Sequence, residues 1–114
     1  TVFPHLSKMF AESKKEAIQA LKDAEKYCFD RGLTTVDDAG LNKETIDLID
    51  SLQQIGELKM RIYAMVSASK DNLDFYLKNG IIKSDRLNVR SFKVYADGAL
   101  GSRGAVLKRP YSDR

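Results

Sequence analysis

Histidine and cysteine are nearly missing from this chain: His5 and Cys28 are the only ones. A lone cysteine excludes an internal disulfide. A Cys–His nucleophile pair would need His5, in the N-terminal segment, to reach Cys28. That thiol falls on the apolar stripe of a predicted helix, where buried, inert cysteines are common. Long apolar runs are absent too. None approaches the ~18 residues that a bilayer-crossing helix takes, so no membrane span is expected. There is no strongly cationic tract. Lys and Arg number 19 against 16 Asp and Glu, for a net charge of +3. Apart from Arg103, Lys108, Arg109 and Arg114 they are spread along the chain. That basic tail reads as solvated, and no nucleic-acid partner is expected. The first residues, "TVFPHLSKMF", carry neither an initiating methionine nor a secretory signal. A processed chain, or one cut from something longer, is the expectation, and no compartment is assigned.

What remains is an ordinary globular composition, 43% hydrophobic and 31% charged over 114 residues. That length suits one domain. Three helix-then-strand units follow one another. Residues 1–12 read as an irregular segment. Ser13 and Glu16 form a capping box that predicts the first helix. Its stripe is Ala17, Ile18, Leu21, Ala24, Tyr27 and Cys28. Gly32 stops it, and "LTTVDDA" follows as a strand. The second helix starts near Asn42 as cap, with Ile46, Ile49, Leu52 and Ile55 on one face. Gly56 ends it before "KMRIYAMVSA", the strongest strand pattern. The third starts at Ser69 with Asp71 in its first turn, and its short stripe is Leu73, Tyr76 and Leu77. After Gly80 a linker of about ten residues leads to the strand "RSFKVYAD". Strands joined by helices run parallel, with right-handed crossovers. The predicted class is therefore α/β, with residues 13–114 as a single domain. Two architectures satisfy it: a small three-stranded sheet, or part of a (β/α)8 barrel, which needs about 250 residues in full.

The strands are two-faced. Phe92, Val94 and Ala96 alternate with Lys93, Tyr95 and Asp97. Ile62, Ala64 and Val66 alternate with Arg61, Tyr63 and Met65. Thr34, Val36 and Asp38 alternate with Thr35 and Asp37. A strand covered on both sides should be apolar on both. Here one face suits packing on helices and the other is polar, most so toward the C-terminal strand ends, where α/β folds bind ligands. Taken alone, Lys93 fits a charged edge strand equally well. Asp37 and Asp38 fit turn formers before Gly40. Asp37, Asp38 and Asp97, near successive strand ends, favour a site.

The wording of these stretches adds a resemblance. "RGLTTVDDAG", "ELKMRIYAMVSAS" and "RSFKVYADGALGSRGAVLKRPYSD" resemble the metal-dependent amidohydrolase superfamily, in particular amidohydrolase family 3. That branch includes N-substituted formamide deformylases and exoenzyme regulatory proteins. The likeness runs from about Ser13 onward, and its most specific part is the run from Lys93 through Ala105. It implies a (β/α)8 barrel whose mouth holds one or two divalent metals, with zinc the expected ion. The metals activate a water against an amide-type, non-peptide C–N bond of a small-molecule substrate. It makes Lys93 a candidate carbamylated ligand that bridges metals. That chemistry starts from a neutral amine, which burial favours. It places Asp97, Ser102 and Arg103 on the loop after that strand, lining a pocket or locking the loop. The family's other metal ligands, a His-x-His pair, two further histidines and an aspartate, have no counterpart here. Many relatives have histidine where this chain has Asp37. The resemblance therefore implies an internal fragment, about strands two to four of a barrel. Alone it is expected to be inactive, to hold no metal and to self-associate through open sheet edges.

The competing reading is a stand-alone α/β module that binds an anion in the Gly98–Gly104 loop. Gly98, Gly101 and Gly104 match neither the Walker pattern nor the dinucleotide fingerprint.

Overall fold

The computed structural model describes the backbone of residues 3–112 and the side chains of residues 12–112. In chain order the elements are α1 (Phe3–Phe29), β1 (Thr35–Leu41), α2 (Lys43–Gln54), β2 (Arg61–Ser67), α3 (Lys70–Asn79), β3 (Ile82–Lys83) and β4 (Leu87–Lys93).

The first helix corrects two expectations. It begins at Phe3, so the segment before Ser13 is helical, and Ser13 lies inside the helix rather than at its cap. Pro4 stands in the first turn, the one place where a helix accepts proline without losing a hydrogen bond. The buried stripe is also narrower than the periodicity implied. Ile18, Leu21 and Cys28 pack against the core. Ala17 and Ala24 are exposed, and Tyr27 is 66% exposed, with the Arg31 guanidinium over its ring. Gly32 takes the left-handed φ of 75° that ends the helix, and Leu33 N–H closes back onto the Cys28 carbonyl. Side-chain chemistry then ties α1 to the sheet. The Glu25 carboxylate accepts the N–H groups of Lys59 and Met60 at 2.5 and 2.6 Å.

The other two helices begin where expected. Ile46, Ile49 and Leu52 of α2 are buried, but Ile55, one residue past its end, is 68% exposed. Ser69 caps α3 by accepting the Asn72 N–H. Tyr76 of α3 is buried and Phe75 packs against the core, whereas Leu77 is 73% exposed.

β1, β2 and β4 form a parallel sheet in the order β1-β2-β4, and the short β3 lies antiparallel on the far side of β4. The expected linker after α3 is therefore partly a hairpin. Ser84 Oγ accepts the N–H groups of Arg86 and Leu87, turning the chain into β4. β4 opens at Leu87 and closes at Lys93, so Val94–Asp97 lies beyond the strand. Its last residue pairs with Ser67, the last residue of β2, and no neighbouring strand extends past that point.

Both parallel crossovers carry their helix to the same side, as right-handed connections between successive neighbours must. Ile46, Ile49, Leu52 and Tyr76 from the helices meet Ile62, Ala64, Val66, Leu87 and Val89 from the strands in one buried cluster. The opposite face, with Tyr63, Met65 and Ser67 of β2 beside Asn88, Ser91 and Lys93 of β4, is only half-buried. The described chain is thus a two-layer unit, helices over one face of a mostly parallel sheet.

Candidate functional site

Two bulges decide which side chains reach the bare face. Leu87 and Val89 point into the helix layer, opposite Ile62 and Ala64. Strict alternation would send Ser91 and Lys93 the same way. The register shifts instead: Val89 pairs with Ala64, and Ser91 with Met65, so Arg90 is one extra residue on β4. Such a bulge re-aims everything after it. Phe92 turns inward opposite Val66, and Lys93 turns outward beside Ser67. β1 does the same at Gly40, whose φ of 145° glycine adopts readily. Leu41 thereby returns to the core opposite Val66. Both bulges sit toward the C-terminal ends of their strands.

Lys93 is half-buried and lines a shallow depression with Ser67, Ala68, Ser69, Val94 and Tyr95. Its Nζ lies 5.3 Å from the centre of the Tyr95 ring, and its carbonyl accepts the Ala68 N–H at 3.2 Å. One step deeper on the same face, Tyr63 and Ser91 share a hydroxyl–hydroxyl hydrogen bond of 2.7 Å. The three aspartates do not converge. Asp37 faces outward opposite Tyr63, in the middle of β1. Asp38 points to the helix side opposite Ala64, against the groove of Leu21, Glu25 and Cys28. Asp97 sits in the loop beyond β4.

That loop folds on itself. A Cβ on Gly98 would stand 1.9 Å from the Gly104 carbonyl oxygen, so only glycine allows the two backbones to cross there. The Asp97 carboxylate accepts the Val106 N–H at 2.5 Å, and the Ala99 carbonyl accepts the Gly104 N–H at 2.9 Å. Ser102 Oγ donates to the Ala99 carbonyl at 3.4 Å. Arg103 holds a left-handed φ of 59° and donates its N–H to the Leu100 carbonyl. The Ala105 N–H goes to the Tyr111 hydroxyl. Asp97 and Ser102 thus lock the loop. The N–H groups at positions 103–106 are spent on the chain's own acceptors, so those four are not open to an anion.

No family model and no curated protein matches the chain. Solved structures do. The chain is similar to a segment of two metal-dependent hydrolases. One is an uncharacterized metal-dependent hydrolase from Pyrococcus horikoshii OT3, with 27% identity and a TM-score of 0.75 over 88% of this chain and 21% of that one. The other, an uncharacterized metal-dependent hydrolase from Pyrococcus furiosus, has 26% identity and a TM-score of 0.76 over the same shares. The chain therefore spans about a fifth of the length of each hydrolase.

A metal held among these residues would need a donor set of its own. Catalytic zinc sites take three protein ligands. Among the described residues no three His, Cys, Asp or Glu side chains come together, and around Lys93 stand two serines and a tyrosine ring rather than carboxylates or imidazoles. These residues do not make a metal centre by themselves.

One polar residue behind this face, Asn72, leaves only a faint mark in the sequence. Asn42 sits at the N-cap of α2 but does not cap it with its own side chain. The cap is Asn72 of α3, whose Oδ1 accepts the Lys43 N–H at 3.3 Å. The spacing Ser69-x-x-Asn72 places Asn72 one turn into α3, facing back toward that helix's own cap. That was the available clue.

Proposed function

We propose that the chain is a segment, about strands two to four, of a (β/α)8-barrel amidohydrolase that cleaves non-peptide C–N bonds of small amide-type molecules. Lys93 contributes one ligand, as a carbamate, to a divalent metal site, with zinc the expected ion. The remaining ligands come from outside these residues, and the segment alone is inactive. The observation that carries this reading is Lys93 at the C-terminal end of β4, turned by a bulge onto the face that the helices leave bare. Three points support it. β1, β2 and β4 run parallel with both crossover helices on one side, as barrel strands do, although the short β3 is antiparallel. Ser67 and Lys93 lie paired at the C-terminal strand ends, where a barrel has its mouth. The similar structures are metal-dependent hydrolases.

The test uses the full-length protein. Metal content, hydrolysis of N-formyl and N-acetyl amides and the carbamate signal under 13C-labelled bicarbonate are measured for wild type and Lys93→Ala. Wild type is expected to show all three, and the variant to lose the carbamate and the hydrolysis and to bind less metal. A variant that keeps metal and hydrolysis removes Lys93 from the site.

A further inference from the structure

The best-satisfied polar side chain in the described chain stands behind the bare face. Asn72 is 4% exposed. Its Nδ2 donates to the Ser67 carbonyl at 2.8 Å and to Asn42 Oδ1 at 3.3 Å. Its Oδ1 accepts the Lys43 N–H. A buried amide is costly unless both its ends are used, and here both are. One side chain on α3 thus grips the end of β2 and the start of α2.

Those are the two strand-to-helix junctions at the end of the sheet where Lys93 emerges. Ser67 pairs with Lys93, and the next amide, Ala68 N–H, donates to the Lys93 carbonyl. The Ser67 carbonyl also accepts the Ser69 N–H at 2.8 Å, and the Asn72 amide adds a second donor from the helix side, so the peptide plane between Ser67 and Ala68 is held by both. That plane aims the Ala68 N–H at Lys93 and sets the Ser67 side chain on the lysine's face. If α2 needed only a cap, Asn42 stands in the right place to supply it. Instead the cap is built across elements, from a residue that also holds β2.

We infer that Asn72 is a positioning residue for Lys93, seating the lysine through Ser67 and the Ala68 hydrogen bond while coupling the loops after β1 and β2. The inference rests on the reading of Lys93 as a site residue.

The test is Asn72→Asp in the full-length protein. Aspartate keeps the shape and the acceptor for Lys43 but loses both donors. Acetylation of each lysine by acetic anhydride is followed by mass spectrometry, beside metal content, kcat and KM. The Lys93 rate should change severalfold relative to Lys59 and Lys83. The kcat should fall about tenfold or more with KM little altered, as for residues that orient a metal ligand. Asn72→Ser, which introduces no charge, takes its place if the aspartate variant fails to fold. A folded variant with wild-type Lys93 acetylation and wild-type kcat overturns the inference. So does a uniform change across all lysines, or a loss confined to thermal stability. If wild type itself neither binds metal nor hydrolyses amides, the hydrolase reading fails, and Lys93 acetylation still decides the part of Asn72.

Discussion

Gly98→Ala puts the loop geometry to a quantitative test. The added methyl would lie 1.9 Å from the Gly104 carbonyl oxygen and 2.5 Å from its carbon. Both are backbone atoms, so no side chain can swing away. Relief requires the two strands of the loop to part by roughly 1 Å or more, to reach ordinary van der Waals separation. Parting them breaks the Gly104 N–H to Ala99 carbonyl bond and the Val106 N–H to Asp97 carboxylate bond. A neutral hydrogen bond contributes about 0.5–1.5 kcal/mol and one to a charged group about 1.5–3, so the loop loses roughly 2–4 kcal/mol. The loss stays local, because residues 98–104 are exposed and contribute nothing to the buried cluster. Amide hydrogen exchange measured by NMR should therefore quicken at Gly104 and Val106 by roughly 30- to 1,000-fold, up to the loop's own opening free energy. Amides of β2 should keep wild-type rates. Gly101→Ala is the control, since nothing lies within 4 Å of its added Cβ. Unchanged exchange in Gly98→Ala, or equal acceleration in Gly101→Ala, would refute the account of the crossing.

Three other outcomes follow from the same structure. Deleting Arg90 removes the bulge but leaves Val89, Ser91, Phe92 and Lys93 in plain alternation opposite Ala64, Met65, Val66 and Ser67, so Phe92 stays inward and Lys93 outward; urea denaturation should show a loss within about 1 kcal/mol. Deleting Arg90 and Ser91 together reverses the parity, setting Phe92 opposite Met65 and Lys93 opposite Val66, and should cost about 3 kcal/mol or more; equal losses for the single and double deletions would discount the bulge. The Tyr76 hydroxyl is buried without a partner, and burial, followed by the Asp47 and Glu44 carboxylates, raises its pKa above the usual 10.0. The fold favours the neutral phenol, so this contribution is complete below about pH 10 and is lost as pH climbs toward the raised folded value. Tyr76→Phe should match or exceed wild-type stability by about 1 kcal/mol at neutral pH and show a shallower alkaline fall; an unchanged fall would exclude Tyr76 as its source. Finally, the outer edge of β1 pairs with no strand among the described residues, and β3 covers only Asn88 and Val89 of β4. Exposed edges recruit other strands, so the isolated chain should self-associate in light scattering, and a stable monomer with low dye binding counts against open edges.

Much of the frame could be read before the structure. Helices after Asn42 and Ser69 were legible because caps, apolar spacing and glycine stops agreed with one another. The two-faced pattern of β2 was legible because that strand is regular. Signals that depend on distant partners were not. Ser13 and Glu16 have the spacing of a cap, but the spacing alone does not exclude that the helix runs through them. The β3 hairpin is too short for an alternation pattern, and it hid the true start of β4 at Leu87. Reading that strand from Arg90 onward set Lys93 opposite in face to Phe92 while missing the shift at Arg90 itself. Asn72 left no periodic trace, because its partners lie on β2 and on the start of α2.

The bulges and Asn72 solve one conflict. A strand that packs helices on one side must keep its apolar parity along its whole length, and the core here does so through Leu87, Val89 and Phe92. On the proposed reading, a metal-binding lysine at the strand end needs the opposite parity. Breaking the alternation once, at Arg90, satisfies both, but a bulge leaves the strand end locally less well paired. The end of β2, against which Lys93 lies, must then be held by something other than the ladder. Asn72 adds to the Ser69 N–H in that hold, from the helix layer, out of reach of solvent and without occupying the bare face. A sheet edge that needed only solubility would require neither device, since charge on an edge strand suffices for that. The pairing of a re-aimed lysine with a buried amide behind its neighbour is therefore better explained by a site than by edge protection.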